Sequence, residues 1–594
     1  MAKSERQVEL SVWIAGESGE GIVSLGEMIT RACTRIGYQV FSYRTFPAEI
    51  RGGTVLFKLR IRRDPPLTPG DQADIMVALN QEGYDRYKSG MVPGSTLVYD
   101  VDSVHIDDTS DVRLMPVPFT HIATKEIGFR LAKNVVCFGS IWTALGGPTD
   151  LAEAFVSSQF ERKGAEVVDL NLRAFRAGRD KIKELSSSEI EPLPVGDPVD
   201  AMLVTGNEAV ALAGIASGLH LYAGYPITPA SEIMETLAVE LPRFGGHMIQ
   251  AEDEIAALGM CIGASYAGHK AMTATSGPGL SLMVEQINLA GMAEIPVVIV
   301  DVQRGGPSTG MPTKTSQGDL NLAAYGVHNE SPRVVLAPIS VEDCFYTTIE
   351  AFNISERYQV PVIILSEQAL SASKVSVPRF DPDRVPRWER KVVPDGWLGP
   401  NGSPSESGYV LKRYENTPDG ISPMPRPGTP GLQYTATGLE HNEHGDPAYS
   451  PEATALMSAK RFRKLSHLLE HHADEFVYRF GEEGHADLGV IAWGSCVAPV
   501  REALEAARDL GMKVALLAPK MVHPLPVAQI ERFAERVDRL IAIEMNWSGQ
   551  LANMVRAQCC LPVRSFTRDT GMPIEPATAL EYIRTAYAKE EAHV

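Results

Sequence analysis

Short apolar runs, each followed by a stretch of helical spacing, recur along most of the chain. Near the N-terminus the run at 10–15 ends in Gly16-Glu17-Ser18-Gly19-Glu20-Gly21, a helical pattern continues to about residue 36, and another run occupies 38–43. This predicts strand, glycine turn, helix and strand, a βαβ unit. After the loop at 47–53, residues 54–62 alternate as a half-buried strand. Runs at 73–79 and 95–101, with helical patterns around 135–145 and 151–175, complete a first α/β domain at 1–180. Residues 181–200, with Ser186-Ser187-Ser188 and Pro192, Pro194 and Pro198, have linker composition.

From 201 to 380 the alternation is regular. Strands are expected at 219–224, 247–250, 271–275, 295–302 and 360–365, with helices from 206, after 228, at 252–266 and at 280–292. Strands and helices alternating at this spacing imply a parallel, doubly wound sheet. Between 381 and 486 the pattern dissolves into proline, glycine, serine and charge, which reads as an extended, loop-rich arm of the functional or interface kind. Order returns at 487–594, with strands at 489–493, 513–518 and 540–544 and helices at 498–510, 527–537 and 549–558. The expected fold class is therefore α/β, with three doubly wound α/β domains.

Composition narrows the function classes. A net charge of −19, from 55 basic and 74 acidic residues, disfavours nucleic acid and anionic membrane as partners. The seven cysteines stand singly except Cys559-Cys560 and show no C-x-x-C spacing, so neither a cluster site nor a disulfide framework is indicated. A reducing cytoplasm is the simple reading. Neither a signal-like apolar segment at the N-terminus nor a run of about 18 apolar residues is evident.

Candidate chemistry lies where strands give way to helices. The turn at 16–21 reads G-x-x-G-x-G, not the dinucleotide order G-x-G-x-x-G, although amides at such a helix start can hold a phosphate. Arg51, beside Gly52 and Gly53, is placed to reach an anion or to be a solvated loop residue. Four further segments fall at the ends of successive strands: Tyr225-Pro226-Ile227-Thr228-Pro229, Glu252-Asp253-Glu254, Thr275-Ser276-Gly277-Pro278-Gly279, and Arg304-Gly305-Gly306-Pro307-Ser308-Thr309-Gly310. Each has a structural explanation: Thr228 as helix cap with Pro229 at the first turn, acids favoured at a helix start, and two turns. Together they place a hydroxyl, a carboxylate, a glycine turn and a guanidinium at one rim of a parallel sheet, where α/β folds bind ligands. Glu440-His441-Asn442-Glu443-His444-Gly445 puts both histidines on one face only in a helix, which the glycine disfavours, so no metal is assigned.

These segments, with Thr437-Gly438-Leu439 running into the histidine cluster, resemble the α subunit of the 2-oxoacid:ferredoxin oxidoreductase family over about 201–588. The turn at 16–21 and Glu49-Ile50-Arg51-Gly52-Gly53 look like the family's γ subunit, fused ahead of α. The resemblance implies a thiamine-diphosphate pyrimidine-binding type of central domain and a transketolase C-terminal-like last domain, with no catalytic residue in the latter. It implies that Glu254 hydrogen-bonds the aminopyrimidine of thiamine diphosphate, with Tyr225 and Pro226 beside the cofactor. Thr228, Arg304 and Thr313 would hold the 2-oxoacid, and Gly19, Gly21 and Arg51 would meet coenzyme A. The chain lacks a Gly-Asp-Gly segment and a cluster-ligating cysteine set. Mg2+, the diphosphate and a [4Fe-4S] cluster are therefore expected on a β subunit, ferredoxin as acceptor, and an (αβ)2 heterotetramer as the assembly. The fused arrangement points to 2-oxoglutarate, converted with coenzyme A to succinyl-CoA and carbon dioxide. The alternatives are a branched-chain 2-oxoacid or pyruvate enzyme, or a noncatalytic assembly subunit; an NAD-linked dehydrogenase is disfavoured by the glycine order.

Overall fold

The structure, a computed structural model, describes residues 9–47, 53–106, 111–186, 189–393 and 411–588. It divides into two compact units, Met1–Val204 with Ala372–Arg379, and Thr205–Ser371 with Phe380–Val594.

The first unit is built on an eight-stranded sheet in the order Arg113–Val117, Met91–Asp100, Ala73–Ala78, Glu9–Glu17, Thr54–Arg62, Gln39–Arg44, Ser373–Val377, Met202–Thr205. The strand, turn, helix and strand expected at the N-terminus are present, the helix being Ile22–Arg35. Thr54–Arg62 is inserted between the two strands and runs antiparallel to both. Strands this close in sequence pair antiparallel without a crossover. Ser373–Val377, read from the sequence as part of the second region, lies antiparallel to Gln39–Arg44, with Val40 N donating to Ser376 Oγ at 2.8 Å.

The second unit contains two sheets. The seven-stranded sheet has the order Met521–His523, Val334–Leu336, Pro361–Glu367, Val297–Gln303, Ala271–Thr275, Leu221–Gly224, His247–Gln250. The five-stranded sheet runs Val477–Gly481, Val514–Pro519, Leu488–Ala492, Leu540–Glu544, Val563–Thr567. Val297–Gln303 and Pro361–Glu367 are buried at every residue, as parallel strands covered on both faces must be. Alternate side chains feed two cores: Val298, Val300 and Val302 pack in one, while Val297 and Ile299 join Leu258, Leu280 and residues of the five-stranded sheet such as Ile491 and Leu517. Met521–His523 leaves the C-terminal region and pairs antiparallel with Val334–Leu336, so the two sheets share one unit.

Residues 381–486, expected to be loop-rich throughout, contain the 22-residue helix Pro451–His472. Ser450 caps it, accepting from Ala453 N at 3.2 Å, with Pro451 in the first turn. Its buried face carries Met457, Lys460, Arg461, Lys464, Leu465 and Leu468, and the three cationic members hide the apolar spacing. Lys460 and Lys464 both donate to the buried carboxylate of Glu294, Lys460 at 2.6 and 2.8 Å, and Arg413 Nη2 donates to Glu294 O at 2.8 Å. The arm is thereby tied to the core by a buried ionic cluster. Among the described residues, no helix is long and apolar enough to cross a membrane.

Candidate functional site

Leu221–Gly224 stands between His247–Gln250 and Ala271–Thr275, and Ala271–Thr275 pairs with Val297–Gln303, all parallel. Their C-terminal ends therefore share one rim, and each opens into one of the four segments named above. Tyr225, Pro226 and Thr228 are exposed there. The helix that follows is Ser231–Glu240 with Ala230 at its cap, so Thr228 is not the helix cap and Pro229 does not occupy its first turn. The Thr228–Pro229 bond is cis, and Asn207 Nδ2 donates to Pro229 O at 2.8 Å, leaving the Thr228 side chain at the rim.

Glu254 begins the helix Glu254–Tyr266, whose cap Asp253 accepts from Ala256 N at 2.7 Å. An acid serving only the helix dipole would sit in solvent, yet Glu254 is 5% exposed. Its carboxylate lies over the glycine turn: a Cβ on Gly279 would fall 2.6 Å from Glu254 Oε1 and 2.0 Å from Thr275 Oγ1. Glycine at 279 is what lets the Glu254 helix and the turn Thr275–Gly279 approach so closely. Ser276 Oγ secures that turn by donating to Val302 O at 2.8 Å.

Arg304 leaves the end of Val297–Gln303 and is nearly buried. Its Nη1 donates to Thr228 O at 2.7 Å and its Nη2 to Thr309 O at 3.0 Å, so the guanidinium joins the Tyr225–Pro229 turn to the loop after Gly305. Two of its five N–H groups are used in this way, and buried Nε has no protein partner. The loop folds back on itself through Met311 N to Gly305 O at 2.8 Å and Gly305 N to Lys314 O at 2.9 Å, carrying Thr313. Thr228 and Arg304 are thus brought into direct contact, and Glu254 is gathered with Thr275 and Gly279.

Three residues not singled out from the sequence complete the rim. Asp301, in register beside Thr275, is fully buried with neither carboxylate oxygen bonded to protein. Burial, and then the charge of Asp319, hold its carboxyl well above the usual range. Asp319 packs against Gly277 and is pushed up to about 6 by burial, with Arg304 acting in the opposite sense. A charged residue inside the run Val297–Gln303 was the available signal for Asp301. Gln317, at the end of the loop, is fully buried; no local pattern marks it.

In the first unit, Gly19 and Gly21 both have positive φ, at 95° and 80°. Gly21 precedes the helix Ile22–Arg35, and a Cβ there would fall 1.9 Å from Asn134 Nδ2. The Glu20 carboxylate folds over the turn, accepting from Glu17 N at 2.8 Å and facing Lys133 Nζ at 3.4 Å. Lys133 also pairs with buried Asp100 at 3.2 Å. Arg51 lies outside the described residues. In the arm, Glu440 pairs with Arg461 and Glu443 with Lys412, while His441 and His444 contact the carbonyls of Leu439 and Leu411. No group of three metal-ligating side chains is gathered among the described residues.

Residues 213–460 match the family described as pyruvate flavodoxin/ferredoxin oxidoreductase, thiamine diP-bdg; 11–181 match pyruvate ferredoxin/flavodoxin oxidoreductase; and 486–572 match pyruvate:ferredoxin oxidoreductase core domain II. The chain is 31% identical to 2-oxoacid:ferredoxin oxidoreductase 2, subunit alpha, of Aeropyrum pernix, over 96% of both chains. The chain belongs to the 2-oxoacid:ferredoxin oxidoreductase family. Within that family it is 32% identical to the 2-oxoglutarate oxidoreductase subunit KorA of Mycobacterium tuberculosis, over 98% of this chain and 92% of the relative. A solved structure, 2-oxoglutarate:ferredoxin oxidoreductase from Magnetococcus marinus with 2-oxoglutarate, coenzyme A and succinyl-CoA bound, superposes with a TM-score of 0.92 at 39% identity, covering 98% of this chain and 100% of that one. The residues present fit the pyrimidine side of thiamine diphosphate: a buried carboxylate stands in a cradle that a Cβ on Gly279 would fill. A 2-oxoacid:ferredoxin oxidoreductase binding that cofactor at this rim would have Glu254, Thr228 and Arg304 at three strand ends of one sheet edge.

Proposed function

We propose that this chain is the α subunit, with a fused N-terminal γ-type region, of a 2-oxoglutarate:ferredoxin oxidoreductase. The observation that carries the reading is the full-length likeness to the Magnetococcus marinus enzyme. The reaction joins 2-oxoglutarate and coenzyme A to give succinyl-CoA and carbon dioxide, releasing one proton and passing two electrons, one each, to two oxidised ferredoxins; it runs in either direction.

Thiamine diphosphate, when bound, supplies the carbanion chemistry that cleaves a 2-oxoacid. Glu254 holds the aminopyrimidine and fixes the proton balance at its ring nitrogen. Its position at a buried helix start, braced by Gly279, keeps that carboxylate out of water. Tyr225 and Pro226 flank the cofactor. Arg304 offers its remaining N–H groups to the substrate carboxylate, and Thr228 and Thr313 donate hydroxyls to the 2-oxoacid. Gly19, Gly21 and Arg51 are the contacts assigned to coenzyme A.

The diphosphate, Mg2+ and a [4Fe-4S] cluster belong to a β subunit, and the assembly is an (αβ)2 heterotetramer in the cytoplasm. The functional divisions are 1–180, 201–380 and 487–594, with a linker at 181–200 and an arm at 381–486; Ser373–Val377 is the segment of the second that pairs in the first unit's sheet. The test is succinyl-CoA formation, followed by mass spectrometry, by this chain co-expressed with its β partner and supplied with thiamine diphosphate, Mg2+, 2-oxoglutarate, coenzyme A and ferredoxin. Product from the pair and none from this chain alone supports the shared site; product from neither overturns the reading.

A further inference from the structure

We propose that Gln317 is a positioning residue that sets the substrate loop, and with it Thr313 and Arg304, against the C-terminal region. This rests on the substrate reading above. The loop that begins at Arg304 is held at its far end by a single, fully buried carboxamide. Gln317 Nε2 donates to Glu367 Oε1 at 2.8 Å and to Trp493 O at 2.8 Å. Its Oε1 accepts from Met545 N at 2.9 Å and from Cys496 Sγ at 3.3 Å. Both hydrogens and both lone pairs of the side chain are therefore used. Its backbone is engaged as well, with N donating to Met545 O at 2.7 Å and O accepting from Asn546 Nδ2 at 3.2 Å.

These partners come from three different strand ends: Glu367 closes Pro361–Glu367, Trp493 follows Leu488–Ala492, and Met545 follows Leu540–Glu544. One side chain therefore indexes the loop against both sheets of the unit. Its neighbours continue the attachment, with Thr315 N to Gly571 O at 3.2 Å and Gln550 Nε2 to Gly318 O at 2.7 Å. Two residues on, Asp319 N donates to Gln303 Oε1 at 3.1 Å, immediately before Arg304. Gly494 shows how tightly the node is filled: a Cβ there would fall 2.0 Å from Glu367 Oε1 and 2.7 Å from Gln317 Nε2. The C-terminal region thus acts on the substrate through the loop.

The near-isosteric Q317E tests this, because it replaces two donors by an acceptor facing Glu367 Oε1 and Trp493 O. Burial raises the Glu367 carboxyl to about 7 while Gln317 donates to it; a carboxylate at 317 removes that donor and adds a like charge, so the pair titrates higher still, sharing a proton when protonated and repelling when ionised. In the assembled enzyme, the expected result is a KM for 2-oxoglutarate raised ~10-fold or more at high pH and recovering as pH falls and the pair protonates, with kcat changed far less. Q550A, which frees Gly318 O, is expected to raise KM in the same direction by a smaller factor. Hydrogen exchange of this chain alone supplies a readout independent of turnover: in Q317E the amides of Gly305, Met311 and Lys314 exchange faster while strands of the five-stranded sheet do not. A wild-type KM at every pH with unchanged loop exchange overturns the proposal, as does exchange accelerated throughout the five-stranded sheet. Failure of the wild-type enzyme to act on 2-oxoglutarate refutes the substrate reading instead, and the exchange result still decides the role of Gln317.

Discussion

Placing a methyl group in the cradle between Glu254 and the glycine turn is the sharpest test of the site. In G279A the new Cβ would lie 2.6 Å from Glu254 Oε1 and 2.0 Å from Thr275 Oγ1, about 0.8 Å and about 1.4 Å inside the 3.4 Å at which ordinary contact begins. Both neighbours are buried, so relief requires the Glu254 carboxylate to move by most of an ångström or the helix Gly277–Met292 to shift. Overpacking of this kind costs roughly 1–3 kcal/mol. Replacing a helical glycine by alanine offsets about 1 kcal/mol of that. Net stability should therefore fall by no more than about 2 kcal/mol. Activity should suffer more, because misplacing a catalytic group by about 1 Å costs on the order of 100-fold. The assay is steady-state ferredoxin reduction by the assembled enzyme, paired with thermal unfolding of the variant and with E254Q, which alters the carboxylate without crowding it. Turnover within about 2-fold of wild type in G279A, at unchanged Tm, would refute the cradle; wild-type turnover in E254Q would favour the assembly-subunit alternative.

Other expectations follow from the same geometry. R304K keeps the charge but cannot span Thr228 O and Thr309 O at once; with bonds of charged donors worth about 1.5–3 kcal/mol each, KM for the 2-oxoacid should rise at least ~10-fold, measured against wild type at low salt. E294Q leaves Lys460, Lys464 and Arg413 buried with only a neutral partner, and breaking such a pair costs about 3–5 kcal/mol, to be read as a lowered midpoint in urea. Asp319 is raised to about 6 in the folded chain, so its contribution to stability is complete below the ordinary carboxylate range and is lost as pH rises through about 6. D319N should therefore flatten the Tm profile between about pH 4 and 6; a profile that keeps the wild-type slope would count against the carboxylate as its origin.

The central parallel strands of the second unit, such as Val297–Gln303 and Pro361–Glu367, were legible because strands covered on both faces must be apolar at nearly every position, whereas Val334–Leu336, Val477–Gly481, Met521–His523 and Val563–Thr567 were not singled out. The rim segments were legible because each interrupts such a run. What remained hidden depended on partners distant in sequence. Ser373–Val377 is too short to declare its sheet, and its neighbour Gln39–Arg44 lies more than three hundred residues earlier in the chain. The helix Pro451–His472 had a cap and a proline to announce it, but Lys460, Arg461 and Lys464 occupy core-facing positions that an apolar template does not count. Thr228-Pro229 has the composition of a helix start, whereas the helix begins at Ser231. Gln317 had no local signal at all, since its role exists only where three strand ends converge on it.

The relative kcat/KM of the assembled enzyme for 2-oxoglutarate, pyruvate and 2-oxoisovalerate, followed as coenzyme A-dependent ferredoxin reduction, decides the substrate and the shared site together. The expected result is a strong preference for 2-oxoglutarate and no reduction by this chain alone. Preference for either of the other acids, or turnover by the isolated chain, would contradict it.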